Sequence, residues 1–525
     1  MTKNDIVQKL WNQCDILRDD GINYSHYVTE LVLLLFMKME NEQVLNQSVT
    51  YDHRLPEGCR WADLRKLSGV NLLDTYKRIL LTLSSGKDAD GKTVVTDPLI
   101  LAIYNDAQTS LREPKHLEQL IKNLDQIDWF SAQQDGLGDL YEGLLEKNAN
   151  ETKSGAGQYF TPRPLIDSII RCIKPQPGET IQDPAAGTAG FLIAADSYIK
   201  SNTDDLYDLS AKEQKRQRKE CYIGIELVPD TRRLALMNCL LHGMEGDAEG
   251  VVHLGNALGQ AGENLKPSTI ILSNPPFGTA KGGGNTTRVF TYKTSNKQLT
   301  FLQHIYNGLK PGGRAAVVLP DNVLFEAGVG TDVRRDLMDK CNLHTILRLP
   351  TGIFYAQGVK TNVLFFTRGE TDEGNTKKVW VYDLRNNMPS FGKRTPFGEE
   401  HLKPFEKVYG KKADGTSKRT EGEWSFTSED SEQSADNSRW RCFDRDWIRD
   451  TKGDSLDISW IKDKDSVDAA DLPEPDELAA KAMGELTEAL RELDGLLSAL
   501  CCSDKAAAQK TMLAEVLGIG AEVGE

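Results

Sequence analysis

Apolar positions along the chain change period three times. Up to about residue 150 they recur at helical spacing: Ile6, Leu10, Cys14 and Leu17 form one stripe, and residues 27–39 are apolar enough for a largely buried helix. Residues 61–73 and 116–127 keep that character, with a polar loop near Gly86. From Gly155 onward, short uninterrupted apolar runs alternate with helical stripes, and after about residue 400 the pattern turns irregular. Beyond Pro473 and Pro475, Met483, Leu486, Leu490, Leu493, Leu497 and Leu500 fall at strict heptad spacing. The pattern predicts four parts: a helical domain over 1–150, an α/β domain over 151–400, an irregular extension over 401–470 and a helical tail over 471–525. A heptad seam of this kind suits a partner helix, with packing on its own domain as the alternative.

In the second part the runs at 179–182, 221–226, 251–254, 268–273, 313–320 and 344–349 predict strands. Runs with no polar face belong to strands covered on both sides by helices, so the fold class predicted is α/β, a doubly wound, mostly parallel sheet. Residues 363–367 and 378–382 predict an adjacent strand pair closing that sheet. The first four runs end in polar residues, Asp183, Glu226, Asn256 and Asn274, at the carboxyl edge where open α/β sheets bind ligands.

The fourth of these ends organises the rest. Two prolines after Asn274 forbid further ladder pairing, so Asn274, Pro275, Pro276 and Phe277 form a rigid corner. An aromatic exocyclic amine is a poor nucleophile because its lone pair is delocalised into the ring. If the Asn274 side-chain oxygen and the Pro275 carbonyl both accept its hydrogens, that lone pair is freed, and Phe277 stacks on the ring. The alternative is a plain Asn-Pro turn after a core strand.

Two glycine-rich segments precede the corner. Residues 155–166 run from a loop into a helix, with Thr161 expected as N-cap and Pro162 as the first helical residue. Asp183-Pro-Ala-Ala-Gly187-Thr188-Ala189-Gly190-Phe reads as strand, tight turn and helix, with small residues where a ligand needs close backbone approach. It is neither a Walker loop nor a G-x-G-x-x-G turn, and its acidic strand end suits an ammonium or sulfonium charge. Glu226, ending the second strand, is placed to grip a ribose diol. Residues 278–297 read as a basic loop over the corner or else a disordered insertion, and Phe354 and Tyr355 either flank a base or pack in the core.

Composition changes this picture in one respect. The net charge of −15 over 525 residues argues against a protein that coats nucleic acid unaided. Yet residues 264–320 contain no Asp or Glu, while Lys266, Lys281, Arg288, Lys293, Lys297, Lys310 and Arg314 are present. The proposed corner therefore lies in a cationic island. Nine cysteines without a C-x-x-C or His/Cys cluster predict no metal site and no disulfide framework, which fits a cytoplasmic chain. No signal peptide and no membrane span are expected, and neither translocation nor cleavage is assigned.

With Gly157-Gln-Tyr-Phe-Thr-Pro-Arg-Pro, the Asp183 turn and Asn274-Pro-Pro-Phe277 in this order, the chain resembles the γ-class DNA N6-adenine methyltransferases. More narrowly, it resembles the modification subunits of type I restriction-modification systems, nearly end to end. The resemblance implies a Rossmann-like methyltransferase sheet and methyl transfer from S-adenosylmethionine to N6 of a flipped adenine in duplex DNA. It implies cofactor contacts at Gln158, Tyr159, Phe160, Thr161, Pro162, Arg163, Asp183, Gly187, Thr188, Ala189, Gly190 and Glu226. Asn256 stands near the cofactor adenine where many relatives carry Asp. The implied catalytic group is Asn274, Pro275, Pro276 and Phe277. The implied partners are DNA, a specificity subunit shared by two modification subunits, and a restriction subunit. Two rivals remain at this point: a protein glutamine methyltransferase, since the corner also suits a planar amide, and a non-catalytic assembly subunit.

Overall fold

The computed structural model describes residues 3–22, 26–46, 53–129, 137–151, 161–278, 288–354, 359–389, 391–392, 395–421, 439–461 and Met483. Two compact units are distinguished, Met1–Ile461 and Lys462–Glu525. Every heptad position except Met483 lies outside the described residues, as do Gln158, Tyr159, Phe160 and Tyr355.

The first 150 residues are helical. Ile6, Leu10, Cys14 and Leu17 are all buried, though they fall on two helices, Lys3–Asn12 and Cys14–Asp19. Tyr27–Asn46 buries every side chain from Leu31 to Met37, as a helix apolar on all sides must. These helices do not form a free-standing body. One apolar cluster runs from Ile6 through Tyr141 to Ile270 and Val318 of the sheet. Arg233 fastens the junction, donating from Nε to the Ile103 carbonyl at 2.9 Å and from Nη2 to that of Asn105 at 2.6 Å.

The sheet has nine strands: β1 (Ile181–Asp183), β2 (Tyr222–Glu226), β3 (Val252–Leu254), β4 (Ser268–Ser273), β5 (Leu309–Pro320), β6 (Cys341–Arg348), β7 (Thr361–Arg368), β8 (Lys378–Asp383) and β9 (Trp440–Asp444). Their order is β3-β2-β1-β4-β5-β7-β6-β8-β9. The pairs from β3 to β5 are all parallel. Alternation along β4 sends Ile270 and Leu272 into one core and Ile271 into the other. Burial on both faces is why β4 and the second half of β5 read as continuous apolar runs.

Three expectations are corrected. The strands at 361–368 and 378–383 are not neighbours: β7 inserts antiparallel between β5 and β6, and β8 pairs parallel with β6. The span expected to be an irregular extension supplies β9, antiparallel to β8, with Trp440 stacked on Trp380 at 5.0 Å. The helix after the first glycine-rich segment is Arg163–Ile173, with Pro162 in the cap position. Thr161 is therefore one residue outside the cap, and its hydroxyl serves elsewhere. No helix of the described residues is long and apolar enough to cross a membrane.

Candidate active site

The chain leaves β1 outward through β2 and β3, then returns to place β4 on the other side of β1. A reversal of this kind opens a crevice at the carboxyl ends of β1 and β4. Asp183 ends β1 and Ser273 ends β4. Ser273 Oγ donates to Asp183 Oδ1 at 2.8 Å, so the two strand ends are tied across the crevice.

Asp183 is buried, and its Oδ1 also accepts from the Ala185 backbone at 3.0 Å. Burial pushes its carboxyl up to about 7; Glu226 pushes the same way, while the two hydrogen bonds oppose it. The glycine turn follows, with Gly187 at φ 55 and Ala189 at φ 70. The left-handed Ala189 is uncommon for a residue with a Cβ. Asn238 holds the turn from below, donating to the Thr188 carbonyl at 3.0 Å, and the Gly190–Ser201 helix begins there.

Glu226 closes the turn from the neighbouring strand. Its Oε2 accepts from the Gly187 backbone at 3.0 Å and its Oε1 from Val228 at 2.8 Å, with burial again raising the carboxyl. Asn256 lies exposed after β3, with Oδ1 accepting from the Leu258 backbone at 2.9 Å in an Asx turn. Arg163 pairs with Glu142 and, at 2.9 Å, with Asp167. That Glu142 belongs to the grouping of Asp139, Glu142 and His242, the one His/acid trio close enough for a metal among the described residues. The Arg163 guanidinium already neutralises Glu142 there.

At the corner, Asn274 Nδ2 donates to Thr161 Oγ1 at 3.0 Å. This bond fixes the Asn274 side chain against Thr161 at the end of β4. Pro275 is buried and Phe277 half-buried. Gln298 Nε2 reaches the Pro276 carbonyl at 3.4 Å, joining the corner to the Lys297–Gly308 helix. Phe354 is buried and meets Phe277 edge-on at 6.4 Å, so it braces that ring rather than offering its own face.

The pattern of the N-6 DNA methylase family matches residues 132–439. The HsdM N-terminal domain matches 6–124, and the C-terminal domain of type I restriction enzyme methylase subunits matches 472–515. The chain is 58% identical to the type I restriction enzyme EcoKI methylase subunit of Escherichia coli K12, over 99% of both chains. The chain belongs to the type I restriction enzyme methylase subunits. The StySPI methylase subunit of Salmonella potsdam is also 58% identical, again over 99% of each chain. Among solved structures, the EcoKI M protein aligns with TM-score 0.57 at 53% identity, covering 97% of this chain and 99% of that one.

In this methylase subunit the strand-end residues are thus gathered at one crevice, with Asn256 at its outer edge. Sequence reasoning missed Ser273, Asn238 and Gln298. Each is a buried polar side chain in an apolar element, and that was the available signal. The cationic island is less free than its letters suggest, since Arg314 is bound by Glu179 at 2.7 Å and by the Ile173 carbonyl at 2.8 Å.

Proposed function

We propose that this methylase subunit transfers a methyl group from S-adenosylmethionine to the exocyclic N6 of an adenine swung out of duplex DNA. The observation that carries the reading is the tie between Asp183 and Ser273, which sets a cofactor-type turn beside the Asn274 corner.

The residues present fit the cofactor. A carboxylate accepts about four hydrogen bonds, so Glu226 keeps roughly two after serving Gly187 and Val228, enough for a ribose diol. The turn offers backbone without a Walker lysine, and Asp183 offers negative charge to an ammonium or sulfonium. Thr161, Gly187, Thr188, Ala189 and Gly190 line the turn side, Asn256 the adenine side. Bound there, S-adenosylmethionine supplies an electrophilic methyl on a sulfonium. Asn274 Oδ1 and the Pro275 carbonyl accept the two hydrogens of the adenine amine and draw its lone pair out of the ring. Phe277 stacks on the displaced base in place of its lost neighbours. The nitrogen gains the methyl and then sheds one proton to solvent, since an amide and a carbonyl cannot take it.

The protein acts in a complex. A specificity subunit reads the DNA target, two methylase subunits flank it, and the nuclease is made whole by a restriction subunit. Support comes from the acidic total charge, which suits a chain that does not read DNA alone, and from the heptads at 483–500, which fall within the matched C-terminal domain. Purified with its specificity subunit, the wild-type chain should pass labelled methyl to adenine in duplex DNA. Asn274→Ala should lower that rate on the order of 100-fold or more while cofactor binding persists. Undiminished transfer by that variant sinks the reading.

A further inference from the structure

Several partly buried arginines of this chain are neutralised by carboxylates: Arg171 by Glu406 at 2.9 Å, Arg314 by Glu179 and Arg385 by Asp321, both at 2.7 Å. Arg288 is held differently. Its Nη1 donates to His304 Nδ1 at 2.7 Å, and its guanidinium lies over the Phe290 ring at 4.9 Å. Among the described residues no carboxylate lies within ion-pairing distance of it.

An arginine only donates, so His304 Nδ1 must carry its lone pair and the ring is neutral. His304 is 2% exposed, and burial together with the Arg288 charge pushes it down to about 3, so it stays neutral throughout the physiological range. The histidine therefore orients the guanidinium without cancelling it. The partial burial of Arg288 lowers its own affinity for a proton, with only the more distant Glu263 opposing. A fixed, partly desolvated and uncompensated cation is a receptor for an anion.

Its position says which anion. The Lys297–Gly308 helix carries Gln298 on the Pro276 carbonyl, Gln303 on both backbone groups of Tyr292 at 2.9 Å, and His304 on Arg288. The six steps from Gln298 to His304 span roughly 9 Å of helix, a few base steps of about 3.4 Å each. Phe290 packs into the cluster of Ile225, Ala257, Leu258 and Phe301, which fixes this segment to the same carboxyl edge of the sheet. Between the two anchored residues, Val289 is 95% exposed. An apolar side chain held in the open beside an uncompensated arginine fits a surface that nucleic acid covers.

We infer that Arg288, oriented by His304 and stacked on Phe290, grips a phosphodiester of the target strand a few base steps from the adenine held at Asn274. The inference rests on the reading that DNA enters at the Asn274 corner, and it adds a backbone contact to the base contacts. The full methylase complex, bound to a duplex carrying its methylated site as found by sequencing, tests it across a salt series. Arg288→Ala and Arg288→Gln should each weaken DNA binding about tenfold near physiological salt. Each should also make the slope of log affinity against log salt shallower by about 0.9 for every Arg288 replaced. Cofactor affinity should stay at the wild-type value. Arg288→Lys keeps the charge, so it should keep the slope while losing part of the affinity. The glutamine variant retains a donor for His304 and serves if the alanine variant does not fold. Wild-type slope and affinity in both neutral variants would overturn the assignment, as would weakened cofactor binding with DNA binding intact. Asn274→Ala should lose methylation at an unchanged slope. If it stays active, the catalytic reading falls while the Arg288 contact is still judged by its own slope.

Discussion

Asn274 Nδ2 donates to Thr161 Oγ1 across 3.0 Å, joining the proposed catalytic corner to a residue 113 positions earlier in the chain. An amide can present either its oxygen or its nitrogen to a substrate, and only the oxygen accepts from an adenine amine. The Thr161 hydroxyl, accepting from the amide nitrogen, holds the side chain in place at the corner. A net hydrogen bond is worth about 1 kcal/mol, or roughly fivefold. Thr161→Val should therefore lower kcat by about five- to tenfold with little change in KM for DNA, and Thr161→Ser should restore it. Steady-state kinetics on the methylase complex measures this. A rise in KM alone, shared by both variants, would assign Thr161 to binding instead.

Asp183 predicts a pH dependence. Its folded value, about 7, lies above the ordinary 3.8, so the folded chain holds this proton longer than the unfolded chain does. The sign follows: the stabilising contribution is full below about pH 4 and is lost as pH rises through about 7. Thermal midpoints of the wild type should fall over that window relative to Asp183→Asn. A cationic cofactor favours the ionised carboxylate, so cofactor binding should tighten from about pH 6 to about pH 8 and release a proton. Calorimetry in buffers of different ionisation enthalpy reads that proton directly. Equal pH profiles in wild type and Asp183→Asn would remove Asp183 from the cofactor site.

The parallel half of the sheet was legible because short, mostly apolar runs each lead into a polar residue. The positions of Asp183, Glu226 and Asn274 at strand ends were readable from that pattern. What was not legible depends on partners distant in sequence. Thr161 reads as a helix cap, and only the observed start at Arg163 releases its hydroxyl for Asn274. The place of β7 between β5 and β6 rests on an antiparallel return that no local pattern encodes. Arg439-Trp-Arg reads as a return toward order, but only the pairing of β9 with β8 puts Trp440 onto Trp380. The pairing of Arg163 with Glu142, on the Leu137–Glu151 helix, likewise joins residues that no local pattern connects.

Phe277 offers a test of base stacking. It is half-buried and meets the buried Phe354 edge-on at 6.4 Å. Aromatic stacking on an unstacked base is worth about 1–3 kcal/mol, so Phe277→Ala should lower kcat/KM by roughly 5- to 150-fold. Phe277→Trp should retain most of the activity. Fluorescence of 2-aminopurine at the target position reports the flipped state independently. The alanine variant should show less of that signal than wild type, and an unaltered signal with unaltered kinetics would exclude a stacking role.

Arg314 separates structure from DNA contact within the acid-free stretch. It donates to both oxygens of Glu179 at 2.7 Å, to the Ile173 carbonyl at 2.8 Å and to that of Lys174 at 3.0 Å. These bonds join β5 to the end of the Arg163–Ile173 helix, and the pair is largely shielded from water. Removing one partner of such a pair strands the other, at about 3–5 kcal/mol. Arg314→Met should lower unfolding free energy by up to that amount in denaturant titration. Below the unfolding transition it should leave the salt slope of DNA binding unchanged, because its charge is already spent on Glu179. Arg288 carries the opposite expectation, little effect on stability and a shallower slope. If Arg314→Met shifted the slope as Arg288→Ala does, the two cations would be acting together as a diffuse field, and the case for a localised phosphate contact at Arg288 would fail.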